Sequence, residues 1–134
     1  MLIHCCECNK KVEARLTDGE EIYPNRRDLS VLPFWVCDEC KGYVGCHHKT
    51  KNRTNPLGCI ANQEMRKARI EIHKILDPLW KGDKPKRKSI YSKITSHIGW
   101  KYHTSQIRTI EEAREIYRFI RDLSLNCKQT PNKV

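Results

Sequence analysis

The chain has 134 residues, enough for one domain with a real though modest core. Its 26 Lys and Arg outnumber 16 Asp and Glu, for a formal net charge of +10, and no apolar run approaches the ~20 residues that a bilayer-spanning helix needs. The start, MLIHCCEC, lacks the pattern of a signal peptide, so the expectation is a cytoplasmic protein without a membrane partner. In a reducing compartment its eight cysteines point to metal rather than to disulfides.

In chain order, the first motif is the cysteine group CCEC. Cys5 and Cys8 are two residues apart, a spacing repeated by Cys37 and Cys40, and 28 residues separate the pairs. Two thiolates at that spacing sit on a tight turn and share one ion, so two such turns predict a closed tetrahedral site for one structural Zn²⁺. Cys6 leaves open which of the first two cysteines is the ligand, and the spacing favours Cys5. Between the pairs, KVEARL alternates Val12, Ala14 and Leu16 inward with Glu13 and Arg15 outward. The Asp18-Gly19 pair then predicts a hairpin into EIY. LPFWVC and GYVGC read as a second strand pair around the Cys37–Cys40 turn, in which Gly42 lets the backbone pass beneath the metal.

After Cys46 come His47 and His48, for which several readings compete. They are structural residues; or they join Cys46, Cys59 and His73 in a second metal site; or they belong to a nuclease of the His-Asn-His class. In that class a strand histidine is the general base, Asn62 orients it and His73 on the next helix binds metal. No Asp stands immediately before the pair, and no second ligand accompanies His73.

From residue 62 the period changes to that of a helix, with Asn62 as N-cap and Met65, Ala68, Ile72, Ile75 and Leu76 on one face. Arg66, Arg69 and His73 lie together beside that face, with Lys67 and Lys74 further round. WKGDKPKRKS reads as an exposed basic loop carrying Lys81, Lys84, Lys86, Arg87 and Lys88, followed by a short helix over 89–98 that Gly99 ends. The last helix opens on a capping box, Thr109 with Glu112, and buries Ala113, Ile116, Tyr117, Ile120 and Leu123. Its Arg114, Arg118 and Arg121 run down another face.

Charge is unevenly placed along this order. Residues 1–40 hold 5 basic and 8 acidic side chains, residues 41–103 hold 15 and 4, and the remainder 6 and 4. A cationic middle suits a polyanion such as DNA or RNA, or an acidic partner protein. The nucleic-acid contacts expected are Arg66, Arg69, Lys74, Lys81, Lys84, Lys86, Arg87 and Lys88. Trp80, Tyr91, Trp100 and Tyr102 could stack on bases where exposed, although Trp80 and Trp35 read more readily as core.

The run FWVCDECKGYVGCHHKTKNRTNPLGCIANQEMRKARIEIHKILDPLW, with the Cys-x2-Cys before it, resembles a family of small zinc-finger-containing phage, prophage and bacterial proteins over roughly residues 5–103. The family's order of WVC, GYVGCH, PLG, MRKAR and DPLW recurs here, and IYSKITSHIG resembles its next helix. The resemblance implies zinc on Cys5, Cys8, Cys37 and Cys40. It also implies a phage or prophage setting in a bacterial host, and motif positions at Cys46, His47, Gly58, Arg66, Arg69, His73, Asp77, Pro78 and Trp80. It implies no particular reaction.

The expected architecture is α+β: a zinc-ribbon-like β module over 1–60 and a helical part over 61–126, packed as one integrated domain of two or three helices on the module, with a tail over 127–134. The expected function is nucleic-acid binding by a structural-zinc protein. The alternatives are an accessory protein that binds and inhibits a host defence or regulatory protein, and the metal-dependent nuclease.

Overall fold

The computed structural model describes residues 1–129, which divide into a unit of residues 1–65 and a second unit beginning at Arg66. In the first, β1 (Leu2–Cys5) and β2 (Lys10–Glu13) form an antiparallel pair that sets Ile3 opposite Val12. Three further strands, β3 (Arg15–Asp18), β4 (Pro33–Val36) and β5 (Tyr43–Gly45), make a second antiparallel sheet with β4 in the centre. Each cysteine turn joins two adjacent strands, Cys5–Cys8 between β1 and β2 and Cys37–Cys40 between β4 and β5.

The hairpin expected at Asp18-Gly19 does not form. The chain leaves one sheet after Glu13 and enters the other at Arg15, so β2 and β3 pair with different partners. Asp18 is instead the N-cap of a one-turn helix, α1 (Gly19–Ile22), and its Oδ1 accepts the backbone N–H groups of Glu20 and Glu21 at 3.1 and 3.3 Å. A short acid that can satisfy two orphan donors favours this cap over a turn. The strand change also breaks the alternation: Val12 and Ala14 are buried, while Leu16 is 47% exposed.

The core of this unit consists of Ile3, Cys5, Val12, Ala14, Cys37, Val44 and Ile60, with Cys8, Trp35 and Cys40 packed against it. Behind the three-stranded sheet, Tyr23, Phe34 and Tyr43 meet edge to face with ring centroids 5.5 to 6.1 Å apart. Residues 55–57 close the β5 edge through Leu57 N to Gly45 O at 2.9 Å and His47 N to Asn55 O at 2.8 Å.

Asn62 begins α2 (Gln63–Leu76) as expected, its Oδ1 accepting Met65 N at 2.8 Å. Met65, Ile72 and Leu76 are buried. Pro78 sits at the start of a 3-10 turn, Asp77–Leu79, that ends the helix. In the second unit α3 covers Lys84–Ile98, longer than the helix expected over 89–98, because Asp83 caps it and accepts Lys86 N at 3.0 Å. Most of the expected basic loop is therefore the first turns of a helix. Gly99, in the left-handed region at φ 85°, closes α3. Ile90 and Ile94 of α3 are buried, as are Tyr102 and Ile107 of the connection. Burial pushes the Tyr102 hydroxyl up to about 12, so it stays neutral beside Thr104 Oγ1, 2.6 Å away.

The last helix, α4 (Ile110–Gln129), buries Ala113, Ile116 and Ile120. Thr109 Oγ1 accepts Glu112 N at 3.1 Å, and the Glu112 carboxylate returns to Arg108 N, one residue before the partner a capping box uses. Of the tail expected over 127–134, residues up to Gln129 continue α4 and residues 130–134 lie outside the described residues. Among the described residues no helix is long and apolar enough to cross a membrane.

Gly19 marks a place where the fold has no room. A Cβ there would lie 1.8 Å from the Leu29 carbonyl oxygen. Gly19→Ala should therefore force the turn at Leu29 apart and cost about 3 kcal/mol. Thermal denaturation of the metal-loaded protein checks this, and an unchanged melting temperature would show that the turn simply moves aside.

Candidate metal centre

The two cysteine turns are built alike. Cys5 closes β1 and Cys37 follows β4, and in each turn the residue after the second cysteine is left-handed: Asn9 at φ 53° and Lys41 at φ 66°. Asn adopts this conformation more readily than most residues, whereas Lys41 is held there by Lys41 N to Cys37 O at 2.7 Å and Cys37 N to Gly42 O at 2.8 Å. Gly42, expected to provide the turn, serves a different need. A Cβ on it would lie 3.0 Å from Ile60 Cγ2 and 3.3 Å from Cys40 Sγ, so its role is close approach.

The shared core of Ile3, Val12, Ala14, Val44 and Ile60 packs the two turns together from separate sheets. Cys5 and Cys40 sulfurs are 3.4 Å apart, Cys8 and Cys37 sulfurs 3.8 Å, and all four lie within 4.8 Å of one another. Zn–S bonds of about 2.3 Å in a tetrahedron place sulfurs about 3.8 Å apart, so the group is of the size that one such ion fills. The choice between Cys5 and Cys6 is settled by position: Cys5 is buried in the group, whereas Cys6 lies outside it, with its N–H on Ile60 O at 2.8 Å.

Two of the four thiols resist ionising by themselves. Burial and the neighbouring sulfurs push Cys8 upward, and burial likewise raises Cys40. Burial opposes ionisation of Cys37 as well, but backbone N–H groups at Cys40 and Glu39 outweigh it and lower that thiol. Four thiolates this close become stable together only around a cation, which is the chemistry a divalent metal supplies. With every corner of the tetrahedron a cysteine, the centre is that of one structural zinc and leaves no position for a substrate.

Charged groups brace the second turn. Arg15 donates to both oxygens of Glu21 at 3.0 and 2.8 Å and to both of Asp38 at 3.0 Å. Arg15 and Thr17 hold the Glu21 carboxyl at about 2. Lys41 reaches Asp38 at 3.5 Å and Lys10 reaches Glu39 at 3.4 Å.

The other expected site residues fall in several places. Among the described residues the only group of three or more Cys, His or acidic side chains placed to hold a metal is the four-cysteine one, so Cys46, Cys59 and the histidines form no second centre there. His48 Nδ1 lies 3.3 Å from Cys46 O, and His73 Nδ1 lies 3.1 Å from the Asp77 carboxylate. Asn62 is engaged on both sides, its Oδ1 by Met65 N and its Nδ2 by Glu7 at 2.9 Å. Of the expected nucleic-acid residues, Arg66, Lys74, Lys81, Lys84, Lys86, Arg87 and Lys88 are exposed. Lys74 pairs with Glu71 at 3.0 Å. Arg69 differs: it is half-buried and donates to Ser105 O at 2.8 Å.

Trp35 is half-buried, its Nε1 donating to Thr54 O at 2.6 Å. Sequence reading missed Asn9, whose place immediately after a Cys-x2-Cys was a usable signal. It also missed the contact of Arg87 with two aromatic rings, which nothing short of the fold reveals.

A family model described as a zinc-finger-containing domain matches residues 1–123. No curated protein and no solved structure matches the chain.

Purified under reducing conditions, the protein should carry one zinc per chain, and Cys37→Ser should lose both the metal and the fold, because binding a structural metal is folding free energy. Cys6→Ser should retain the full metal content. Elemental analysis with far-UV circular dichroism checks both, and a folded, reduced, metal-free wild type would overturn the assignment.

Proposed function

The chain belongs to the DUF3268 family of zinc-finger-containing domains, and from that premise we propose that it binds nucleic acid through the basic segment running from α2 into α3. One observation carries the reading. Lys84, Lys86, Arg87 and Lys88 crowd the first turns of α3, are all exposed, and form no ion pair among the described residues. Cations at a helix N-terminus oppose the macrodipole by about 0.3 to 1 kcal/mol each at low salt. Such a cluster works against the helix it sits on, and its free charge suits an external polyanion. Lys81 adds to it from the preceding turn, and Arg66 and Lys74 are exposed on α2, where Lys74 pairs with Glu71. Arg69 is left out, because its guanidinium is hydrogen-bonded within the protein.

The nuclease reading gains nothing from the arrangement, since the asparagine it requires is spent on Met65 and Glu7. The phage or prophage setting implied by the sequence resemblance suits a nucleic-acid partner and a host-protein partner equally, so the discrimination is experimental. Fluorescence anisotropy with labelled DNA and RNA from about 50 to 200 mM salt measures the slope of log K against log salt. Changing Lys84, Lys86, Arg87 and Lys88 together to Ser should weaken binding and flatten that slope by about two to three units, the value of three phosphate contacts, without loss of the helical signal. If the wild type binds neither nucleic acid at the low-salt end, the reading fails and a protein partner becomes the leading one.

A further inference from the structure

The cations at the start of α3 are not equivalent. Arg87 alone is held by aromatic rings: its guanidinium carbon lies 5.2 Å from the centroid of the Trp80 ring and 4.2 Å from that of Tyr91. The backbone arranges this. Asp83 N donates to Trp80 O at 2.7 Å, folding Trp80 back over the start of the helix, and Asp83 then caps α3. Tyr91 follows Arg87 by one helical turn, so the two share a face. Tyr91 is fixed from behind by the buried Tyr102, with ring centroids 5.3 Å apart.

Resting on the nucleic-acid reading, we propose that Arg87 is a pre-positioned phosphate-binding group and that the segment grips the sugar-phosphate backbone of duplex DNA instead of stacking on the bases of a single strand. Sequence-indifferent single-strand binding draws much of its strength from open aromatic faces. Here the rings expected to stack are engaged. Trp80 and Tyr91 each turn a face to Arg87, Tyr102 is buried, and Trp100 lies against Tyr102 with centroids 6.1 Å apart. What remains is charge on one helix face, where Lys84, Arg87 and Lys88 follow the i, i+3, i+4 spacing. A surface that contributes only cations gains most from the polyanion with the densest charge, and a duplex carries one phosphate per about 1.7 Å of axis. Arg87 suits the task because a planar guanidinium can present two parallel donors to a phosphate, and its rings reduce the rotamer freedom lost on contact. Trp80 and Tyr91 are then positioning residues.

The test compares a duplex with a single strand of the same sequence, measured by anisotropy across the same salt series, for wild type, Arg87→Gln, Tyr91→Leu and Tyr91→Phe, with helicity followed by circular dichroism. The duplex should bind more tightly than the single strand at every salt concentration. Arg87→Gln should reduce the duplex slope by about 0.9, the value of one phosphate contact. Tyr91→Leu should weaken duplex binding by about two- to fivefold with the slope unchanged, the size of an exposed cation–π contact, and Tyr91→Phe should restore it. A single strand bound as tightly as the duplex overturns this inference and leaves nucleic-acid binding standing. An unaltered slope in folded Arg87→Gln removes Arg87 from the contact, and absence of binding to both strands and duplex overturns the inference together with the reading beneath it.

Discussion

Four sulfurs within 4.8 Å of one another are the constraint on which the first unit depends. Held that close, four thiolates repel one another, so the arrangement is stable only with a dication between them. The same cysteines are also apolar core: Cys5 and Cys37 are buried among Ile3, Val12, Ala14, Val44 and Ile60. Metal and core are therefore one object. A unit of about this size buries too little apolar surface to be secure without a staple, and the ion is that staple. The short strands follow from it, since four-residue pairs with little side-chain packing of their own need only hold two turns in register.

The charged groups around the centre act on geometry more than on stability. Arg15 joins β3, α1 and the second cysteine turn through Glu21 and Asp38. These side chains are about half exposed, so each pair contributes little energy by itself. Two bidentate contacts on one guanidinium nevertheless define an orientation, and they fix the turn that carries Cys37 and Cys40 against the strand beside it. The second unit is held differently, by the buried aliphatic positions of α2, α3 and α4 and by the connection through Tyr102 and Ile107.

What was legible in the sequence was whatever depends on nearest neighbours along the chain. Cys-x2-Cys specifies its own turn, Asn62 and Thr109 cap helices within three residues, and Gly99 ends one. Two failures turned on a partner further along the chain, and the third on a local cap that the charge of its neighbours concealed. Val12, Ala14 and Leu16 look like one strand until β2 and β3 are seen to belong to different sheets. Asp18-Gly19 reads as a hairpin turn, but the tight approach of Leu29 decides the role of the glycine. KPKRK looks like a loop by charge, because the features that make it helical are a single capping Asp83 and buried Ile90 and Ile94 further on.

The basic residues show most clearly why composition stops short of function. Arg66, Arg69 and His73 share a helix flank, yet the fold uses them differently: Arg69 reaches Ser105 O, and His73 reaches Asp77. A half-buried guanidinium that donates to a backbone carbonyl belongs to the protein's own architecture. Lys84 and Lys86 sit in the first turn, where the helix dipole opposes them, and with Lys88 they remain in solvent without an ion pair among the described residues. Arg87 falls between these cases, exposed and without an ion pair among the described residues, yet restrained by Trp80 and Tyr91. A restrained cation that neutralises nothing inside the protein has given up rotamer freedom without satisfying a charge. The rings offset part of that cost, and on the proposed reading a bound phosphate recovers the rest as affinity.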